Sequence, residues 1–236
     1  MARPRLGRGR ALVEVLLCSG LVTQAAVASV LGLFGFRPQD ALGQLEPTFV
    51  FLLSLGDALL LVGIIVWLLR MNGEGARDVF VGAQPWRAEA ARGIAIAPLM
   101  LLGIGLLLVV LQRVAPWLHN VTTNPLGAML KSPAHVAIFA VVVLVAGAVR
   151  EEIQRAFLLH RFTTHLGGPA LGLLITSLAF GLRHSLQGWD ATIATGMMGA
   201  IWGAIYLARR SAVAPMTSHA LFNLAELARG VLTGAL

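Results

Sequence analysis

AHVAIFAVVVLVAGAVREEIQRAFLLHRF, residues 134–162, is the stretch whose reading decides the fold. An apolar run from Ala134 to Val149 meets two adjacent carboxylates, Glu151 and Glu152, and "AFLLHRF" then returns to apolar residues. In a chain with only 12% charged residues the pair has two readings. It is a charged helix end at a membrane surface, neutralised by Arg150, Arg155 and Arg161, or it lies inside one longer helix that Phe162 completes. In the second reading each charge costs about 2.5–3.5 kcal/mol to insert, so the pair calls for a functional reason.

Composition places the whole chain in a bilayer. Of 236 residues 57% are hydrophobic and the mean hydropathy is +0.80, against roughly 45–50% apolar residues in ordinary soluble domains. At about 20 apolar residues per crossing, helices are expected near 11–35, 48–70, 93–114, 134–162, 168–186, 190–208 and 212–234, about seven spans within a range of six to eight. Open sheet edges cannot face lipid, so the fold class is all-α, a polytopic transmembrane helical bundle. Residues 1–133 would supply the N-terminal transmembrane helices and residues 134–230 the functional core, within one integral membrane domain.

The net charge of +7 does not point to nucleic acid, because the basic residues flank apolar spans rather than forming one soluble patch. They set topology instead. Arg3, Arg5, Arg8 and Arg10 precede the first span, Arg70, Arg77, Arg87 and Arg92 surround the second connection, and the loop between carries only Arg37. Arg113 and Lys131 fall on the poorer side; Arg161, Arg209 and Arg210 fall on the richer. The Lys/Arg bias therefore predicts a cytoplasmic N-terminus in a plasma (bacterial inner) membrane. The opening MARPRLGRGR resembles the charged region of a signal peptide, but the apolar stretch from Ala11 to about Phe36 is long enough to span, and an uncleaved helix is expected. Cys18, the single cysteine, builds no disulfide framework and is expected to fill the core. The Asn72 to Gly93 loop, with Trp86 and Arg87, reads as a connector or an interfacial segment. The small residues Gly196, Gly199, Ala200, Gly203 and Ala204 let helices approach closely.

Three polar groups recur on the late helices. Arg155 shares a helix face with Glu151 and Glu152, so an ion pair is available. Adjacent residues project about 100° apart, so only one glutamate can face a given centre and the other must be held by a neighbour. His184 follows Phe180 by one turn, and His219 lies four residues before Asn223 on the last helix. Singly, each is as readily a hydrogen-bonded structural group as a functional one. Together, two imidazoles and a carboxylate can hold a metal with an open position, or activate a water without one. A desolvated glutamate suits a general base, and an asparagine amide can serve a developing oxyanion.

Glu151-Glu152-Ile-Gln-Arg155, Phe180-Gly-Leu-Arg-His184 and His219-Ala-Leu-Phe-Asn223 resemble, in order and spacing, the signature of the CAAX protease and bacteriocin-processing (CPBP, Abi) family of intramembrane proteases, which includes the Ras-converting enzyme. One departure stands: the family arginine usually falls five residues after the first glutamate, and here that position is Ala156 while the arginine is Arg155. The resemblance implies an intramembrane endopeptidase in which Glu151 activates water with help from His184, His219 and Asn223 stabilise the tetrahedral intermediate, and Glu152 and Arg155 hold the site. It leaves the cofactor open between none and Zn²⁺, the latter held by His184, His219 and Glu151. The implied partners are a protein or peptide substrate in the membrane and the lipid bilayer, with no nucleic acid. The site is expected to open to the cytoplasmic half of the bilayer. Asp57 and Glu226 are left unexplained by the motifs; Asp57 reads as structural, and lining the site is the minor of the readings open to Glu226. The rival readings are a proton-coupled transporter and a non-catalytic membrane partner that use the same Glu/His cluster.

Overall fold

The computed structural model describes residues 6–122 and 124–233. Arg3 and Arg5, and position 234 of the last expected span, lie outside the described residues. Helices occupy all seven expected segments: α1 (Arg8–Leu17) with α2 (Leu21–Leu33), α3 (Pro47–Asn72), the short α4 (Ala76–Phe80), α5 (Trp86–Val114), α6 (Pro133–Val142), α7 (Glu151–His165), α8 (Pro169–Leu182), α9 (Trp189–Arg209) and α10 (Val213–Thr233). Among the described residues no strand forms, and the protein is an all-α bundle of membrane type. Four of the segments, Arg8–Leu33, Pro47–Asn72, Trp86–Val114 and Trp189–Arg209, are long and apolar enough to cross a bilayer by themselves. The others fall short for visible reasons: α8 has 14 residues, and α10 carries His219, Asn223, Glu226 and Arg229.

Two departures from the expected helices shape the functional centre. The first span is broken at Gly20, whose φ of +90° favours glycine. The break frees the carbonyl of Cys18, and Gln154 donates its Nε2 to it at 2.7 Å. Cys18 itself is fully buried beside Leu61, Ile65, Leu69 and Phe157, the core role expected of it. The second departure is in the stretch 134–162: α6 passes without a break into a π-helical segment, Val143–Arg150, and then into α7. The glutamate pair is thus the interior of one long helix. Such a widened turn inserts an extra residue into the ladder, and π segments recur at functional sites.

The glycines of α9 act as packing surfaces. A Cβ on Gly196 would lie 3.4 Å from the Ser177 carbonyl, and one on Gly199 would lie 2.9 Å from the Phe180 ring. Bare backbone there brings α8 and α9 into close contact.

Long-range pairs fix the two ends of the bundle. At one end the fully buried Arg161 of α7 joins Glu14 of α1 (Nε to Oε2, 2.7 Å) and Glu74 (2.6 Å), and Arg209 of α9 joins Glu89 of α5 (2.8 Å). Glu74 also meets His160 Nε2 at 2.7 Å. Burial favours the neutral acid, but the hydrogen bonds from His160 and Arg161 outweigh it and hold the Glu74 carboxyl below its ordinary value of 4.5. At the opposite end His119 Nδ1 meets Asp190 at 2.7 Å, the Trp189 amide donates to Asn120 at 3.0 Å, and Lys131 donates to Gln44 at 3.0 Å. The first end collects Arg8, Arg10, Arg70, Arg77, Arg87, Arg92, Arg209 and Arg210; the second has Arg37, Arg113, Lys131 and Arg229.

Candidate active site

The long helix, α8 and α10 bring the three motifs to one place, with α9 as the wall behind them. Glu152 is 1% exposed, and its Oε1 accepts from both Arg155 Nη1 and His219 Nδ1, the latter at 2.9 Å. Arg155, also buried, lies over the Phe180 ring at 4.4 Å and near Trp202 at 5.8 Å. The arginine one position earlier than the family pattern therefore still reaches the second glutamate. Its cation is answered by a carboxylate and by aromatic faces together.

His219 is held on three sides. Trp202 stacks on it with centroids 4.0 Å apart and an 18° tilt, Phe180 meets it edge-on at 6.1 Å, and Glu152 takes its Nδ1. Trp202 is itself fixed by donating Nε1 to Ser218 Oγ at 3.2 Å. The second ring nitrogen, Nε2, faces Glu151 Oε2 at 3.9 Å. A carboxylate that sets the orientation of an imidazole while its far nitrogen faces the reactive centre is the arrangement of hydrolytic triads. Glu151, unlike Glu152, keeps part of its side chain exposed, 15%, and lines a cavity of about 600 Å³. The two glutamates thus divide as the 100° offset requires, one held and one free.

His184 lies just past the end of α8, in the turn before the Ser185–Gln187 3₁₀ turn, not within a helix as expected. After the 3₁₀ turn Gly188, at φ +109°, leads the chain into α9. His184 Nδ1 meets the Phe180 carbonyl at 2.9 Å, so Nδ1 carries the proton and Nε2 is left to accept. Its ring lies 5.1 Å from Phe180. Asn223 donates Nδ2 to the Val143 carbonyl at 3.1 Å, at the start of the π segment. Gly147 makes that approach possible, since a Cβ there would lie 2.8 Å from Asn223 Nδ2. Glu151, His184, His219 and Asn223 all line the same cavity.

Sequence reasoning missed Trp202, Ser218, Gly147 and Arg183, and read Arg150 only as a countercharge to the glutamate pair. The arginines alone carried a signal, Arg150 as a buried charge within the long helix and Arg183 as a half-buried one at the end of α8. Asp57 is structural as read: it accepts from Thr23 and from Arg150 Nη2, the latter at 2.5 Å. Glu226 lines the cavity and pairs with Arg229 at 2.8 Å.

Glu151, His184 and His219 do not come together as a ligand set. Among the described residues no three His, Cys, Asp or Glu side chains are grouped to hold a metal ion. His219 spends Nδ1 on Glu152 and His184 spends Nδ1 on a backbone carbonyl, which leaves both Nε2 atoms free to accept a proton or a metal. No step of the proposed reaction is routed through a metal.

The cavity runs from these residues away from the Arg-rich end. Its far walls are Leu45 and Val50 at the start of α3, Asn124 and Pro125, and Leu186 and Gln187. On the Arg-rich side Trp202, Arg155, Glu152 and Tyr206 are each under 5% exposed, and a second recess of about 50 Å³ lined in part by Arg155 and Leu158 also borders Glu151. The larger cavity reaches the Lys/Arg-poor end.

No curated protein and no solved structure matches the chain significantly. A family does: residues 132–225, the segment that holds all three motifs, match the model described as Rce1-like, type II CAAX prenyl endopeptidase Rce1-like, and this is the family that the motifs resemble.

Proposed function

We propose that the protein is an intramembrane endopeptidase that hydrolyses a peptide bond of a membrane-presented protein or peptide, with a water activated by Glu151. The observation that supports this reading above others is the division of the glutamate pair: Glu152 is committed to Arg155 and His219, while Glu151 faces the cavity 3.9 Å from His219 Nε2. A proton relay has no need of a ring fixed by a carboxylate beside a second, free carboxylate and an amide.

In the first step the Glu151 carboxylate takes a proton from water as the water oxygen bonds to the scissile carbonyl carbon, and the carbonyl π pair moves onto its oxygen. Asn223, through its remaining amide hydrogen, hydrogen-bonds the oxyanion, and His219 does so through Nε2 when the ring carries a proton on both nitrogens between Glu152 and Glu151. His184 Nε2 accepts from the water and orients it. As the intermediate collapses, the C–N bond breaks, and the proton held by Glu151 passes to the leaving amine. The products are a carboxylic acid and an amine, with the enzyme restored. Glu152 and Arg155 act by holding His219 rather than by touching the substrate.

The Lys/Arg bias supports a cytoplasmic Arg-rich end in a plasma (bacterial inner) membrane. The substrate then reaches Glu151 from the extracytoplasmic side. This suits a sorting tail or a secreted peptide, and a prenylated chain end is a second source that the family description brings in. The test compares cleavage of membrane-presented peptides by purified wild type, Glu151→Gln, His184→Ala and His219→Ala. Loss in all three is expected; equal cleavage by all three removes the assignment. Metal analysis and chelator treatment of the active preparation decide cofactor dependence.

A further inference from the structure

The part of the cavity wall that α5 and α9 build carries no charge among the described residues. Ile104 of α5 and Ala194 and Met198 of α9 form one apolar cluster with Phe180 and Phe222, and all five border the cavity next to His219, whose ring meets Phe180 edge-on at 6.1 Å. Thr195 adds a hydroxyl to this wall, but it donates to the Ala191 carbonyl at 2.7 Å. The charged residues that line the cavity stand elsewhere: Asp57 on α3, Arg150 and Glu151 on the long helix, Arg183 at the end of α8, and Glu226 and Arg229 on α10.

The apolar wall is hollow at Gly105. Leu101, Gly105 and Leu108 share the face of α5 that borders the cavity, at the i, i+4, i+7 spacing of one helix face. Nearer its start α5 lies tight against α10, where a Cβ on Gly93 would be 2.5 Å from the Ala214 carbonyl. Pro98, which lacks the N–H of the helix ladder, follows. About three turns beyond Gly93, a Cβ on Gly105 would meet nothing within 4 Å. Protein interiors are packed as densely as organic crystals, so unfilled space beside His219 calls for a guest. A polar or charged guest would give up its water there without gaining a partner, whereas an apolar one gains by leaving water.

We propose that Gly105 sets the size of a specificity pocket, closed by Ile104, Ala194 and Met198, that takes one large aliphatic or aromatic side chain of the substrate beside the scissile bond. This deepens the protease reading and rests on it for the guest being a peptide. A chain held by that side chain lays its backbone along the polar side of the cavity, where Glu151 and Asn223 stand.

The test uses the full chain purified in detergent and a capped, dansylated decapeptide of alanine and serine in which a single phenylalanine is moved from position to position. Mass spectrometry reads the cut site and its rate, and dansyl anisotropy reads binding. Wild type is expected to cut at a fixed distance from the phenylalanine, at least about tenfold faster than it cuts the parent peptide, the discrimination that an apolar pocket supplies. Gly105→Leu fills the pocket and should bring this ratio close to one, with Gly105→Ala between. Gly103→Leu, on the opposite face of α5 and equally free of neighbours, should keep the wild-type ratio. A ratio that survives Gly105→Leu overturns the proposal, and so does a ratio that Gly103→Leu abolishes as well. Loss of a co-purifying lipid in Gly105→Leu with an unchanged peptide ratio assigns the space to a lipid chain and overturns the side-chain assignment. Binding separates this inference from the reading it rests on. Tighter binding of a phenylalanine peptide that Gly105→Leu abolishes, without any cleavage by wild type, removes the protease reading and leaves the pocket standing. Cleavage with no preference for phenylalanine at any position removes the pocket and leaves the protease reading, and no preference in either measurement overturns the proposal.

Discussion

Glu151→Gln and Glu152→Gln change the same functional group on adjacent residues, and the structure assigns them opposite consequences. Glu152 is 1% exposed and Arg155 is 4% exposed, and they are joined as an ion pair. Removing the carboxylate charge leaves a buried guanidinium uncompensated, which costs about 3–5 kcal/mol. The glutamine oxygen still accepts one hydrogen bond, and the Phe180 face 4.4 Å from Arg155 Cζ keeps its attraction, so the lower end, about 3 kcal/mol, applies. In a chain of this size each kcal/mol shifts the midpoint by about 2–4 °C, so Glu152→Gln should unfold about 6–12 °C below wild type in detergent. Glu151→Gln removes no ion pair closer than the 3.9 Å approach to His219, and its midpoint should stay within about 2 °C of wild type. Cleavage reverses the order of interest: Glu151→Gln should lose about 10²–10⁴-fold in kcat while fully folded, the usual worth of a general base. The result that refutes the reasoning is an exchange of behaviours, with Glu152→Gln as stable as wild type and Glu151→Gln unfolding early.

Gly147→Ala places a methyl 2.8 Å from Asn223 Nδ2 and should displace the amide from the Val143 carbonyl, lowering kcat by about tenfold or more with little change in KM, read by steady-state kinetics. Asp57→Asn leaves Arg150 buried without its counter-ion and should cost about 3–5 kcal/mol in unfolding experiments; adding Arg150→Met should recover much of the loss, and failure to recover it counts against the pair. Glu74, whose folded value is depressed below 4.5, contributes stability that is complete above that pH and is lost as pH falls through the folded value. The wild-type midpoint should accordingly fall more steeply below pH 4.5 than that of Glu74→Gln, and parallel curves would exclude the contribution. In a Cys18→Ser background, Gln187→Cys at the cavity wall should react with a membrane-impermeant maleimide in intact cells, and Arg87→Cys only after permeabilisation; the opposite pattern inverts the topology.

Helix positions were legible because the bilayer imposes a length and an apolar composition on every crossing. What composition does not register is how a helix is interrupted. The first span reads as one run because Cys18, Ser19 and Gly20 are small and nearly apolar. The break at Gly20 is set by partners more than a hundred positions away, the guanidinium groups of Arg150 and Arg183 and the amide of Gln154. The π segment is equally silent, since Val143–Arg150 reads as seven ordinary apolar or small residues before an arginine until Asn223 takes the Val143 carbonyl. Tertiary hydrogen bonds, not local propensity, decide both features.

The site shows the same asymmetry between chemistry and placement. The residue types that a hydrolytic centre needs were evident, because ionisable groups in hydrocarbon stand out individually and their spacing places each on a helix face. Which glutamate is held could not follow from spacing, because Arg155 is three residues from Glu152 and four from Glu151, and either pairing is sterically available. Trp202 decides it. Stacked 4.0 Å from His219, it fixes the ring so that Nδ1 meets Glu152 while Nε2 meets the cavity. With both His219 and Arg155 drawn to Glu152, the 100° offset leaves Glu151 alone on the open side. The same wall stands behind the site: Trp202, Tyr206 and Arg155 are buried on the Arg-rich side, while the larger cavity beside Glu151 extends to the Lys/Arg-poor end. Fully buried behind His219, Trp202 thereby sets which ring nitrogen meets the cavity.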